Sequence, residues 1–230
     1  TYGIVVNLYR NTTMHILVGA LTLNPGNRFD EGSSLTACHT LASLTIDDHT
    51  ISSILDPMGM TIYSSSRIDV QHSWVIESPS PTIILRQSVS ESLQTGLISI
   101  DSMIPVGHGQ RELLIGDRQT GKTSISTDAI INQRYTDTHC IHDGIAEKAS
   151  SICHMFLSLV RRDAAFYLTL IYASASSSGL HQFLCAYSGS ALSEFFMLTH
   201  ELPSFLVLDD LSRHAISYRE IYLLLRHPPG

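Results

Sequence analysis

The stretch ELLIGDRQTGKT, residues 112–123, decides how this chain is read. An apolar run, ELLI, leads into Gly116–Thr123, which fits the pattern G-x-x-x-x-G-K-[ST]. Between a strand and a helix, such a segment wraps phosphate groups. Its glycines let backbone N–H groups point at phosphate oxygens, and the start of the helix adds positive potential. RELLIG, residues 111–116, reads as a buried strand. KTSISTDAIINQ, from Lys122, puts Ile125, Ala129 and Ile130 near one helical face. The expected nucleotide-binding residues are Gly116, Asp117, Arg118, Gln119, Thr120, Gly121, Lys122 and Thr123. Lys122 would meet the outer phosphates and the Thr123 hydroxyl would ligate Mg2+.

FLVLDD, residues 205–210, supplies a second half. An apolar strand ending in Asp presents a carboxylate at the edge of an open α/β sheet where ligands bind. Asp209 is expected to hold Mg2+ through water, and Asp210 to orient loops. Around these two motifs strands and helices alternate, which points to a mainly parallel α/β sheet. KASSICHMFLSLV places Ala149, Ile152, Cys153, Phe156 and Val160 at helical spacing, and FYLTLIY reads as a strand. LHQFLCAYSGSALSEFFML reads as a helix interrupted at Ser188-Gly189. HCIHDGIA falls where a central strand belongs, yet it carries His142 and Asp143. A buried unpaired Asp is costly, so that strand should be frayed, specially paired or damaged.

Before the proline-punctuated linker ESPSPT, residues 77–82, the pattern differs. YGIVVNLY, MHILVGALTL and SSLTACHTLASLTI are short β-like pieces separated by NPGN and DPMG turns. The expected organisation is a partial β-barrel over 1–72 and a nucleotide-binding domain over 73–230.

Composition narrows the function. Charged residues make up 15% of the chain, its net charge is −7, and its lysines are Lys122 and Lys148. That excludes nucleic acid, whose binding rests on many Lys and Arg contacts, but not a nucleotide, which needs one. The cysteines, Cys38, Cys140, Cys153 and Cys185, have no framework spacing, so a reduced compartment is expected. No apolar run reaches the length of a membrane-spanning helix. Both ends read as cut. GHGQRE keeps two glycines of a dinucleotide fingerprint, Cys140, His142, Cys153 and His154 match no common zinc spacing, and no G-x-S-x-G elbow is present.

Residues 91–133, ESLQTGLISIDSMIPVGHGQRELLIGDRQTGKTSISTDAIINQ, resemble the alpha subunit of F-type ATP synthases. YSGSALSEFFM and LVLDDLSRHAISYREIYLLLRHPPG resemble two further blocks in the same order. LQTGLISIDSMIP, EKASS and IESPSP are closest to the chloroplast and cyanobacterial branch. The resemblance implies a RecA-like, P-loop core after part of a small β-barrel. It implies a subunit that holds Mg-ATP without turning it over, in a ring alternating with beta-type subunits. That ring serves proton-driven ATP synthesis. The expected place is the stromal face of the chloroplast thylakoid membrane, attached peripherally, with the mitochondrial inner membrane or bacterial plasma membrane as alternatives. DRQ inside the loop is alpha-like. His108 and His227 stand where the family has Arg, and IHDGIAEK stands where it has VYVAIGQK. Glu147 thus replaces a Gln at a place where catalytic beta subunits carry a water-activating Glu, and it reads as drift. A degenerate non-functional fragment is the alternative, and a stand-alone RecA-like ATPase is a third.

Overall fold

The computed structural model describes residues 3–10, 16–22, 34, 36, 40–47, 50–63, 72–117 and 119–225. Arg118 and the NPGN turn lie outside the described residues. Gly3–Arg10 (β1) and Ile16–Thr22 (β2) pair antiparallel with one register shift near Val5. In Ser43–Ile46 (β3), alternation sends Leu44 and Ile46 into the core while Ser43 and Thr45 stay half-buried. Ile54–Leu55 (β4) and Thr61–Tyr63 (β5) flank the expected DPMG turn. There the Asp56 carboxylate accepts the N–H of Met58 at 2.9 Å and of Met60 at 2.8 Å. Gly59 closes the turn at φ +81°, where a side chain would collide with the Thr45 backbone. His72–Val75 (β6) pairs antiparallel with β3.

The remaining elements alternate. They are α1 (Ile98–Met103), α2 (Lys122–Asn132), β7 (His139–Glu147), α3 (Ala149–Val160), β8 (Leu168–Ser174), α4 (Gly179–Thr199), β9 (Ser204–Asp209) and α5 (Leu211–Leu224). One five-stranded sheet runs β5-β4-β8-β7-β9, and the pairs β4/β8, β8/β7 and β7/β9 are parallel. Residues 50–63, from the first of the two sequence regions, are therefore stitched onto the sheet of the second. Ser52 N–H donates to Leu168 O at 2.8 Å, and the Thr169 hydroxyl to Thr50 O at 3.1 Å.

Strand alternation loads both faces of this sheet. Ile141, Ile145 and Ile171 meet Leu184, Leu192, Phe195 and Phe196 of α4 and Ile221 of α5. Cys140, Leu168 and Leu170 meet Ile130 of α2 and Ile152, Phe156 and Leu159 of α3. Each large side chain so buried contributes about 1.5–3 kcal/mol.

Four expectations need correction or refinement. Residues 111–117 form no strand, and Leu113 and Ile115 are 64% and 84% exposed. Among the described residues β9 pairs only with β7, so RELLIG has no neighbour in the sheet. A lone extended segment leaves its backbone groups to water. The helix around Ser188-Gly189 is continuous over 21 residues. Gly189 marks a close approach: a Cβ there would lie 1.8 Å from an Asp143 carboxylate oxygen. Ser188 is also used, its hydroxyl donating to Pro57 O. In α3 the buried set is Ile152, Phe156 and Leu159, while Cys153 is exposed and Val160 lies at the surface. Finally, β7 is neither frayed nor specially paired. It pairs in register with β9 over His139–Gly144 and with β8 from Cys140 to Ile145, with His142 Nδ1 and both Asp143 carboxylate oxygens buried and unpartnered.

Candidate functional site

The site lies where β7 and β9 end and α2 begins. A tether positions α2 at its far end: Asn132 Nδ2 donates to Thr95 O at 2.8 Å and Gln133 Nε2 to Gln94 O at 2.7 Å. The 94–96 segment is itself folded onto Asp101, whose carboxylate accepts from the Thr95 hydroxyl at 2.6 Å and from two backbone N–H groups. Those bonds, the hydroxyl first, hold the Asp101 carboxyl below its ordinary pKa.

At the near end the loop turns through two left-handed residues, Gln119 at φ 63° and Gly121 at φ 91°. Gly121 caps α2 without a side chain, so no side-chain acceptor takes the first-turn N–H groups. That leaves them for an anion. The Thr120 hydroxyl donates to Asp117 O at 2.8 Å and packs over Gly116, where a Cβ would come within 2.8 Å of it. Lys122 folds back over its own loop, with Nζ donating to Gly116 O and, at 2.9 Å, to Asp117 O. A bound phosphate would take over the role these carbonyls play.

Thr123 is the link between the two motifs. Its hydroxyl donates to Asp209 Oδ2 at 3.0 Å, across 86 residues of sequence. Hydroxyl and carboxylate are the hard oxygen donors that Mg2+ takes, with water and phosphate filling its other positions. Among the described residues no cluster of three or more His, Cys, Asp or Glu forms an all-protein cage. The residues present thus suit a metal brought with a nucleotide.

Around Asp209 stand further charged side chains. Asp210, at φ 67°, caps α5 by accepting the Arg213 N–H, and its carboxylate lies 2.8 Å from Arg213 Nε. Arg213 Nη1 donates to Ala146 O, at the end of β7. Next to Ala146, Glu147 is half-buried. Burial raises its pKa first, with Asp209 and Asp210 adding to the effect and Arg213 opposing it. Two residues before Asp209 on β9, Val207 pairs in register with His142. Burial lowers its pKa to about 4 against a smaller opposing pull from Asp209. A cleft of about 230 Å³ opens beside Thr123 between α2 and α3, lined by Thr127, Asp128, His154 and Arg162, and it reaches neither Lys122 nor Asp209.

The structure thus brings Thr123 and Asp209 together, folds Lys122 over its own loop, and sets Gly116, Asp117, Gln119, Thr120 and Gly121 in that loop before α2. Arg213 was not legible as a site residue. Its only sequence signal is the i,i+3 spacing from Asp210, which is common on helix surfaces.

Comparison with known families gives a match over residues 96–230 to the nucleotide-binding domain of the ATP synthase alpha/beta family. That stretch holds the loop, β9 and every helix from α1 to α5, and a domain of that description fits ATP. The chain belongs to the ATP synthase alpha/beta family.

Proposed function

We propose that this chain is an alpha-type, non-catalytic subunit, or part of one, that holds Mg-ATP in a proton-translocating ATP synthase. The observation that carries the reading is the Thr123–Asp209 hydrogen bond, which joins the phosphate loop to the acid of the second motif. Lys122 and the α2 N-terminus would bind phosphate oxygens, while Thr123 and, through water, Asp209 would hold Mg2+. Mg2+ would neutralise phosphate charge; the protein's part is to bind and orient. A RecA-like core in a ring with beta-type subunits follows from the resemblance of residues 91–133, 187–197 and 206–230. Exposed Ile83, Ile84, Leu113 and Ile115 supply apolar surface of the kind such neighbours cover. The chloroplast thylakoid, stromal side, is the proposed location on the wording of the same segments.

A second reading rests on Glu147. A half-buried carboxylate of raised pKa near Asp209 has the properties of a general base. Phosphate release from Mg-ATP by the purified chain, with and without Glu147→Gln, separates the two. The first reading expects no steady release from either protein. Release abolished by the Gln variant would make Glu147 a base. The partner claim is tested by mixing tagged chain with plastid beta subunits. A nucleotide-dependent, co-eluting complex is expected. Failure to associate, while full-length alpha associates, would instead support a degenerate fragment.

A further inference from the structure

Two strand ends meet at the carboxyl edge of the sheet, and one side chain ties them together. β7 leaves the sheet through an irregularity: its register against β8 shifts between Ile145 and Glu147, and Ala146 adopts φ 54°. A residue with a Cβ seldom takes that conformation unless its surroundings hold it there. Glu147 O is held by the Tyr172 hydroxyl at 3.2 Å and by the Ala175 N–H at 3.1 Å. Ala146 O is taken by Arg213 Nη1. The same guanidinium reaches Asp210 with its Nε, so it spans the ends of β7 and β9. An exposed Arg–Asp pair at i,i+3 does little alone. The bond to Ala146 O, 67 residues away, is what makes Arg213 part of the site's frame.

Charge adds a second role. The charges of Asp209 and Asp210 act on Glu147 here, although the three acids form no metal cage, and the Lys122 ammonium is turned onto the loop's own carbonyls. Arg213 places a cation among these acids. Left unneutralised, converging carboxylates attract a divalent cation and repel phosphate.

We propose that Arg213 is a positioning residue: by clamping Ala146 O to Asp210 it fixes the Ala146–Glu147 corner beside the loop, and by offsetting the surrounding acids it makes the site select the anionic phosphate chain of a Mg-nucleotide over a bare divalent cation. The selectivity half of this rests on the Mg-nucleotide reading above; the clamp does not.

The test uses the full chain, Arg213→Gln and Arg213→Lys, with melting curves as a check on folding. Amide exchange of the peptide covering 144–150, without ligand, reads the clamp. Titrations with Mg2+ alone and with Mg-ATP read selectivity. Arg213→Gln should speed exchange at the corner, bind Mg2+ alone more tightly by roughly threefold or more, and bind Mg-ATP about tenfold more weakly. Lys keeps the charge and loses the fork, so Arg213→Lys should speed exchange yet keep the wild-type preference. Mg2+ and Mg-ATP affinities that move in the same direction, or that both stay within about twofold of wild type, would overturn the selectivity claim. Unchanged exchange in Arg213→Lys would overturn the clamp, and that variant decides the matter if Arg213→Gln does not fold. If the wild-type chain takes no ATP, the nucleotide reading fails, while exchange and Mg2+ binding still judge Arg213.

Discussion

Asp143 should be replaceable with profit, and by an amount that depends on pH in a defined way. It is fully buried in the central strand, neither carboxylate oxygen has a partner, and Gly189 is pressed against it. Burial raises its pKa well above the ordinary carboxylate value, so the folded chain keeps the proton that the unfolded chain releases. An orphaned buried polar group costs about 1–3 kcal/mol. For a chain of this size each kcal/mol shifts Tm by about 2–4 °C. Asp143→Val should therefore raise Tm by roughly 2–12 °C from the orphan cost alone, the product of those two ranges, before the proton-linked part is added. The sign of the pH dependence follows from proton counting. Below the unfolded pKa of about 3.9 both states hold the proton, and only the orphan cost separates variant from wild type. Above it the unfolded state releases the proton and the folded state does not. The gap then widens by about 1.4 kcal/mol per pH unit until the folded pKa is reached. Denaturant unfolding of both proteins from pH 4 to 7 measures that gap, and Asp143→Asn isolates its proton-linked part. A gap that stays flat, or a variant less stable than wild type, would refute the reasoning and mean that Asp143 is ionised and paired.

Two other substitutions have definite outcomes. His142 is neutral when folded, its pKa lowered from 6.5 to about 4, so the unfolded state gains a proton first as pH falls. Between pH 6.5 and 4 that difference costs about 3 kcal/mol. His142→Leu should remove that share of the acid sensitivity in a pH-dependent melt; a variant as acid-sensitive as wild type would contradict the buried, neutral imidazole. His139, lowered to about 4 by burial and by His200, should supply a similar share, which His142→Leu leaves intact. Gly189→Ala should destabilise the chain severely, because its Cβ would overlap Asp143, and Asp143→Ala should recover most of the loss. If the double variant melts as low as the single one, the close approach is not where the cost lies.

Much of this was legible in the residues, for reasons that differ by segment. FLVLDD and KTSISTDAIINQ carry their own period and flanking chemistry, so β9, α2 and the meeting of Thr123 with Asp209 could be anticipated. The position of β7 followed from the alternation of elements even though His142 and Asp143 argue against a strand; tertiary burial overrode local polarity. What failed to show was non-local. Ile54–Leu55 is too short to announce that it joins the sheet beside β8. Gly189 has the look of a helix break until Asp143 stands opposite it. RELLIG reads as a strand because its apolar run is real, but a strand also needs a neighbour. Arg213 belongs to the site through a bond to a backbone carbonyl, which leaves no trace in residue type.

The central claim is that the loop at Gly116–Thr123 holds a Mg-nucleotide through Lys122. Calorimetric titration of Mg-ATP into the chain and into Lys122→Ala tests it most directly, with melting curves showing that both are folded. A charge-assisted contact to phosphate is worth about 1.5–3 kcal/mol. The variant should therefore bind roughly tenfold to a hundredfold more weakly than wild type. Superimposable binding curves from the two folded proteins, or no heat from the wild type, would contradict it.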